Sequence, residues 1–208
     1  MKVLIVILAL VILIGGAWLL YTQLSEELAP NQLAVQDSVD TSPAETPDNE
    51  PNNEMEDAPQ QQSEDTETQK ILAPDFTVYD LEGNAVQLSD FIGKPVVLNF
   101  WASWCGPCQS EMPDFNEAYA ELGEDVHFLM INMTDGSRET VDTASAFIEE
   151  QGYLFPVYYD TDFDAAITYG VYSLPSTLFI DAEGYGIAQA VGAIDRETLQ
   201  RGIDLILP

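Results

Sequence analysis

The stretch that decides the fold covers residues 96–108 and reads Val-Val-Leu-Asn-Phe-Trp-Ala-Ser-Trp-Cys-Gly-Pro-Cys. Its first half is almost entirely apolar, which is typical of a strand buried on both faces of a parallel sheet. The residues that follow, from Gln109 to about Leu122, are predicted to form a helix. Cys105 and Cys108, the only cysteines of the chain, therefore lie where a buried strand gives way to a helix.

A Cys-x-x-Cys pair at such a junction predicts thiol–disulfide chemistry. The start of a helix carries unpaired N–H groups and a partial positive charge, and both stabilise a thiolate on Cys105. We expect Cys105 to be the exposed, attacking thiolate and Cys108, one turn further on, to be the less exposed partner that closes a disulfide with it. No second pair of ligands accompanies the cysteines, so we expect neither a metal nor a cofactor besides the redox-active pair.

An N-terminal apolar segment, residues 3–20, carries no charge over 18 positions. As a helix it would be about 27 Å long, close to the hydrocarbon thickness of a bilayer. It exceeds the ~7–15 apolar residues of a cleaved signal peptide, so residues 1–24 are predicted to be an uncleaved signal anchor. Lys2 precedes the span, which favours a cytoplasmic N-terminus. The predicted location is the cell membrane, single-pass, with the rest of the chain outside the cytoplasm, where disulfides persist.

Residues 25–70 are predicted to be an acidic, disordered linker. They contain 13 acidic residues, several prolines and no aromatic side chain. Such a segment cannot bury enough apolar surface to offset the entropy of ordering. As a flexible coil it would span roughly 35–40 Å and hold the domain off the membrane.

The formal net charge of the chain is −30, and residues 71–208 alone carry 23 acidic residues against four basic ones. This charge excludes a nucleic-acid binder, which needs a basic face. The acidity indicates either solubility at high salt or high pH, or steering toward basic partner proteins.

Residues 71–208 are enough for one domain with its own core. Strands are predicted over residues 76–80, 85–88, 96–102, 126–133, 155–159, 176–181 and 185–191, and helices over 109–122, 137–151, 163–169 and 195–207. Ser137 and Asp195 are the expected N-caps of the second and last helices, and Pro113 is expected to kink the first. The order predicts an α/β fold: a mixed central sheet with helices on both faces and an added N-terminal β-hairpin.

Two motifs in this domain resemble the thioredoxin fold. The run Phe-Trp-Ala-x-Trp-Cys-Gly-Pro-Cys at residues 100–108 is similar to the active-site sequence of thioredoxins. The sequence Leu-Pro-Ser-Thr at residues 174–177 is similar to the loop that holds the family's cis-proline beside the disulfide. The resemblance implies a thioredoxin fold over residues 71–208 and a role for Pro175 in catalysis.

Further features resemble the membrane-anchored TlpA/ResA-type reductases: the anchor and linker, the opening Ala-Pro-Asp-Phe at residues 73–76, and Cys-x-x-Cys-x-x-Glu-x-Pro at residues 105–113. The resemblance implies an enzyme that reduces oxidised client proteins, apocytochrome c in particular, and that takes electrons from a membrane donor of the CcdA type. Peroxiredoxins share the opening hairpin, but their Thr-x-x-Cys site is absent. We expect a membrane-anchored monomer without a nucleic-acid partner.

One position departs from thioredoxins, which carry a buried aspartate where this chain has Asn99. An amide cannot accept a proton, so Glu111 is the predicted proton acceptor for Cys108. If Glu111 is partly buried, its pKa should rise toward neutrality, which suits such a group. The alternative is a solvent-facing Glu111 that only complements the helix dipole.

Four residues are predicted to bind the client: Trp104, Gly106, Pro107 and Leu174. If the Leu174–Pro175 peptide bond is cis, the backbone of Leu174 is free to pair with an extended client segment. Trp104 would shape the docking surface, although core packing is an alternative.

Three other functions compete with that of a reductase. A disulfide-forming oxidase would use the same chemistry, but Gly106-Pro107 favours a reductant, because thioredoxin-like pairs have potentials of about −270 mV against about −120 mV for DsbA. A non-catalytic module that only binds clients would not need both cysteines, Glu111 and Pro175. A copper-delivery module of the Sco type needs a different cysteine spacing and a suitably placed histidine.

Overall fold

In the computed structural model, residues 31–35 and 70–208 are described, and their strands form one nine-stranded mixed sheet. The strands are β1 Ala34–Val35, β2 Ile71–Leu72, β3 Thr77–Tyr79, β4 Ala85–Gln87, β5 Val96–Trp101, β6 His127–Asn132, β7 Val157–Tyr159, β8 Ser176–Ile180 and β9 Tyr185–Val191. The helices are α1 Gly106–Leu122, α2 Val141–Gln151, α3 Asp164–Thr168 and α4 Arg196–Ile206, with a 3₁₀ turn at Leu88–Phe91.

Strand β5 occupies the middle of the sheet. It pairs in parallel with β6 and antiparallel with β8, and the strands follow one another in the order β1-β9-β8-β5-β6-β7-β3-β4, with β2 also paired to β9. Strands β3 and β4 form the predicted N-terminal hairpin. The mixed sheet expected from the sequence is therefore confirmed, and its central strand ends directly before the cysteines.

Both faces of β5 are buried, which explains its almost unbroken apolar sequence. Val97 and Trp101 belong to a core cluster that contains residues of α1, α2 and α4, namely Met112, Ala144 and Leu199. Leu98 and Phe100 belong to a second cluster on the other face, which contains Ala165 of α3 and Phe76 of the opening segment. Helices therefore cover both faces of the sheet, as predicted.

Helix α1 begins three residues earlier than predicted, at Gly106, with Cys105 as its N-cap. Proline is well tolerated in the first turn of a helix, so Pro107 belongs to α1 and does not precede it. The helix continues past Pro113 to Leu122. Cys108 therefore lies within the first turn of the helix, fully buried.

The prediction that Ser137 caps the second helix is wrong. The N-cap is Thr140, whose hydroxyl accepts a hydrogen bond from the Thr143 N–H at 3.1 Å. The Ser137 N–H instead donates to Asp135 Oδ1 at 2.7 Å, within a turn in which Gly136 has a φ of 71°. The Asp135 side chain holds this turn out of the helix.

Residues 31–35 lie inside the predicted linker, but Ala34–Val35 form a strand of the sheet. Ala34 pairs with Gln189 of β9, and Asn31 Oδ1 accepts a hydrogen bond from the Asp195 N–H at 2.7 Å. The prediction of a linker without structure is therefore wrong for these five residues. The other residues of the predicted linker, except Lys70, lie outside the described ranges. The predicted membrane span also lies outside them. Within residues 31–35 and 70–208, no helix has both the length and the apolarity needed to cross a bilayer.

Candidate active site

The two cysteines are joined by a disulfide at the N-terminus of α1. Cys105 is the N-cap residue, and its sulfur accepts a hydrogen bond from the Cys108 N–H at 3.2 Å. The helix thus places one of its free N–H groups on the first cysteine. This is the arrangement that stabilises a thiolate at Cys105 when the disulfide is reduced.

Cys105 is more exposed than Cys108, as predicted, but it is less exposed than expected. Its side chain is only 5% accessible, and that of Cys108 is completely buried. Cys105 lies at the base of a cleft of about 650 Å³ that is also lined by Trp104, Gly106, Pro107 and Leu174. A client must therefore insert its disulfide into this cleft, which we call the redox cleft.

Glu111 is buried one helical turn after Cys108, with 2% of its surface exposed. Its Oε1 accepts a hydrogen bond from Asn99 Nδ2 at 2.9 Å, and its Oε2 accepts one from the Ile194 N–H at 2.9 Å. Asn99 Nδ2 also donates to Thr177 Oγ1 at 3.0 Å. Two segments therefore hold the carboxyl of Glu111 directly: Asn99 of β5 and Ile194 of the β9–α4 loop. A third segment, β8, contributes indirectly, because Thr177 binds the Asn99 amide.

Burial raises the pKa of Glu111 to about 7, and the hydrogen bonds from Ile194 and Asn99 oppose only part of this effect. A carboxyl with this pKa exchanges its proton near neutral pH. The alternative of a solvent-facing Glu111 is wrong, because α1 turns this side chain inward.

The Leu174–Pro175 peptide bond is cis, and the loop that contains it forms one wall of the redox cleft. The Pro175 carbonyl accepts a hydrogen bond from the Gly192 N–H at 2.9 Å, which ties this loop to the loop that leads to Ile194. Cys108, Glu111 and Pro175 are buried and do not line the cleft, whereas Trp104, Cys105, Gly106, Pro107 and Leu174 do.

Trp104 is 42% exposed, so the alternative that it is a core residue is wrong. The Arg138 guanidinium lies over its ring, 3.7 Å from the ring centroid, which is a cation–π contact. Arg138 also lines the redox cleft. Sequence analysis missed Arg138, because a single arginine in a polar loop gives no local signal of an aromatic partner.

Glu139 is a second buried acidic side chain near the cysteines, and no sequence pattern indicates its role. Its Oε1 accepts hydrogen bonds from the Ser103 N–H at 2.8 Å and from Asn132 Nδ2 at 2.7 Å, and its Oε2 accepts one from Ser103 Oγ at 2.7 Å. Glu139 thus fixes the backbone two residues before Cys105. Only the three-dimensional proximity of two loops reveals this contact.

A dithiol–disulfide pair at the start of a helix, a cis-proline loop across the cleft and a buried carboxyl define a thioredoxin-fold thiol–disulfide oxidoreductase. Residues 71–185 match the model of the AhpC/TSA family. Since this match covers more than half of the chain, the protein belongs to the AhpC/TSA family, within its thioredoxin-like, ResA-type branch.

Individual relatives agree with this assignment. The thiol-disulfide oxidoreductase ResA of Bacillus thuringiensis is 38% identical over 137 residues, which cover 65% of this chain and 77% of that protein. The crystal structure of the pneumococcal exposed lipoprotein thioredoxin Etrx1 from Streptococcus pneumoniae has 33% identity and a TM-score of 0.54, over 64% of this chain and all of that one. A DsbF homologue from Corynebacterium diphtheriae has 29% identity and a TM-score of 0.59, over 66% and 88% of the two chains.

Proposed function

We propose that this oxidoreductase works as a reductant of client disulfides outside the cytoplasm, held at the membrane by residues 1–24. The observation that carries the proposal is the carboxyl of Glu111, buried one turn after Cys108 with a pKa of about 7. A reductase needs Cys108 to lose its proton at neutral pH before it can release the reduced client. Glu111 is the group that can take this proton.

The reaction has two thiol–disulfide exchanges. The Cys105 thiolate attacks one sulfur of a client disulfide, so that a Cys105–client bond forms and the other client sulfur leaves as a thiolate. Cys108 then passes its proton to Glu111 and attacks Cys105, which releases the second client thiolate and forms the Cys105–Cys108 disulfide. Two electrons pass from the enzyme to the client, and the client thiolates take up two protons.

The backbone beside the cis-proline offers a docking edge for the client. Pro175 has no N–H, and no described residue forms a hydrogen bond with the N–H or carbonyl of Leu174. An extended client segment can pair with Leu174 as an added strand. This pairing would place the client disulfide over Cys105, in the cleft that Leu174 and Cys105 share.

The client class proposed is apocytochrome c, whose Cys-x-x-Cys-His segment must be reduced before haem attachment. The relatives named thiol-disulfide oxidoreductase ResA support the exchange chemistry, and the exposed pneumococcal lipoprotein thioredoxin supports a place outside the cytoplasm. In that compartment the spent Cys105–Cys108 disulfide needs an electron source, and we assign this role to a membrane dithiol carrier of the CcdA type.

The reduction potential of the Cys105–Cys108 couple tests the direction of electron flow. The full chain would be equilibrated with dithiol buffers of graded potential, quenched with a maleimide and analysed by mass. Thioredoxin, a reductant, has a potential of about −270 mV, and DsbA, an oxidant, one of about −120 mV. A potential of about −250 mV or lower therefore supports a reductant, and a value of about −150 mV or higher makes the protein a disulfide donor.

A Cys108→Ser variant separates an enzyme from a module that only binds clients. The variant keeps the Cys105 thiolate but cannot resolve the mixed disulfide. Mixed with an oxidised Cys-x-x-Cys-His peptide, it should accumulate a covalent adduct at Cys105 that a reductant removes. A Cys105→Ser variant is the matched control and should form no adduct. Binding without any adduct in the Cys108→Ser variant would rule out the proposed mechanism.

A further inference from the structure

A second groove, of about 490 Å³, opens beside the redox cleft. Its large apolar lining residues are Met133, Phe163, Ile167, Val171 and Tyr172, and we call it the side groove. Four of these residues, all except Ile167, also line the redox cleft. The two depressions are therefore continuous, and a chain that enters the redox cleft can extend directly into the side groove.

Large apolar side chains are unusually exposed at this groove. Ile167 is 76% and Tyr172 98% accessible, the highest values among the described exposed large hydrophobic residues. Helix α3 is secured by its other side: Ala165 is buried in the core, and the Tyr169 hydroxyl donates to the Pro74 carbonyl at 2.9 Å. Helix α3 is thus packed firmly on the domain, and the exposure of Ile167 does not result from a loosely held helix.

Phe163 holds a conformation that a bulky side chain rarely adopts. Its backbone has a φ of 58° and a ψ of 21°, in the left-handed region. The buried Asp160 fixes the turn, because its carboxylate accepts hydrogen bonds from the N–H groups of Ala165 and Ala166 at 3.3 and 2.8 Å. Such strain is found where the surrounding structure imposes it, often at ligand-binding sites. Here it brings Phe163 to the boundary between the two depressions.

The charges around the side groove are acidic. Asp162 lines the side groove and Asp135 the adjoining redox cleft, whereas Arg138, the one basic residue at either depression in the described part, lies over Trp104. The domain as a whole carries 23 acidic residues over positions 71–208. This field favours a positively charged client segment.

We propose that the side groove binds a large apolar side chain, aromatic or branched aliphatic, that lies a few residues from the client's cysteine in a basic stretch of sequence. The inference rests on the proposed function, since it describes how a client disulfide is selected. The redox cleft would receive the disulfide, and the side groove would distinguish clients by the residue next to it.

The test uses the pre-reduced full chain and basic peptides with one cysteine as a mixed disulfide with thionitrobenzoate, in single-turnover experiments. Paired peptides differ only by phenylalanine or alanine, placed at several spacings on either side of the cysteine. At the best spacing we expect the phenylalanine peptide to release thionitrobenzoate about five- to tenfold faster, because an aromatic ring leaves water. Replacing the peptide's lysines by glutamates should slow the reaction at low salt.

For each variant, the rate with the phenylalanine peptide is divided by the rate with the alanine peptide, so that each protein is its own control. Ile167→Ser and Tyr172→Ser should bring the ratio close to one. Leu154→Ser removes a similarly exposed leucine (69% accessible) that lines neither depression, and should keep the ratio.

Two outcomes would overturn the inference. One is equal rates for the paired peptides at every spacing, which would show that the groove does not select an apolar client residue and would leave another part of this chain or a second copy as its occupant. The other is a preference that persists in both groove variants. If the alanine peptides react normally in these cases, the proposed function stands; if no peptide reacts at all, the proposed function fails as well.

Discussion

Asn99 and Glu111 face one another inside the domain, and the Asn99 amide donates a hydrogen bond to Glu111 Oε1 at 2.9 Å although neither side chain reaches solvent. The strand position that holds an aspartate in thioredoxins thus binds a carboxyl supplied by α1. Asn99 Oδ1 has no hydrogen-bond partner in the described part of the chain. Rotation of the amide would let this oxygen accept a hydrogen bond from protonated Glu111, so the pair can accommodate both states of the carboxyl.

The first prediction concerns the release of the client. Glu111→Gln should slow the breakdown of the mixed disulfide between Cys105 and a client peptide by about 100-fold at pH 7, because the proton acceptor for Cys108 is lost. In the unaltered chain this rate should rise with pH through about 7, as Glu111 ionises. The variant should lose that inflection. Acid-quenched single-turnover experiments between pH 5.5 and 8.5 measure both.

Glu117→Gln provides the matched control for this experiment. Glu117 lies on the same helix but is exposed, so its replacement should leave the rate and the pH profile unchanged. If Glu111→Gln kept the inflection near pH 7, another group would be the proton acceptor.

The second prediction concerns stability and pH. The pKa of Glu111 is raised in the folded protein, from 4.5 to about 7, so the folded state binds a proton that the unfolded state has lost. The stability that this proton contributes is complete below pH 4.5 and is lost as the pH rises through about 7. The loss amounts to roughly 3 kcal/mol, at 1.36 kcal/mol for each pKa unit.

Urea unfolding of the oxidised full chain at pH 5 and pH 8.5 tests this linkage. Glu111→Gln should be about as stable as the unaltered chain at pH 5, because its neutral amide, like the protonated carboxyl, can accept from the Ile194 N–H and donate to a rotated Asn99 Oδ1. At pH 8.5 the variant should be the more stable of the two, because the unaltered chain then carries a buried charge. A difference that is the same at both pH values would contradict the raised pKa.

The third prediction concerns the loop ahead of the cysteines. Glu139→Ala would remove the hydrogen-bond partner of the half-buried Ser103 N–H and of the buried Asn132 amide, which should lower the free energy of unfolding by about 3 kcal/mol. Glu149→Ala, at an exposed position of α2, should change it by less than about 0.5 kcal/mol. Urea unfolding compares the two, and similar stabilities would show that Glu139 is not an anchor of this loop.

Local sequence signals were enough to predict the centre of the fold and the reacting pair. The apolar run that became β5 and the cysteines after it carry short-range patterns with a physical cause, whereas the cis-proline at position 175 was implied by the resemblance to thioredoxins. The spacing to Cys108 placed Glu111 one turn further along the same helix, but it left open whether this side chain faces the core or the solvent. The apolar run and the cysteines depend mainly on neighbours close in the chain.

Contacts between distant segments could not be predicted in this way. Glu139 and Ser103 are 36 positions apart, and Arg138 lies over Trp104 from the same distant loop. Ser137 has the composition of an N-cap, but the competing hydrogen bond from its N–H to Asp135 moves the helix start to Thr140. The left-handed backbone of Phe163 has no sequence signature, because such positions usually hold glycine or asparagine.

The pairing of β1 with β9 shortens the distance that can separate the domain from the proposed membrane anchor. Strands β1 and β2, which flank most of the acidic segment, both pair with β9, so the residues between these strands do not add to the distance between the domain and the proposed anchor. Between the proposed anchor, residues 1–24, and Asn31 there remain six residues, which span at most about 20 Å. If residues 1–24 anchor the chain as proposed, the domain would lie close to the membrane, and its proposed clients would have to reach the membrane surface to meet it.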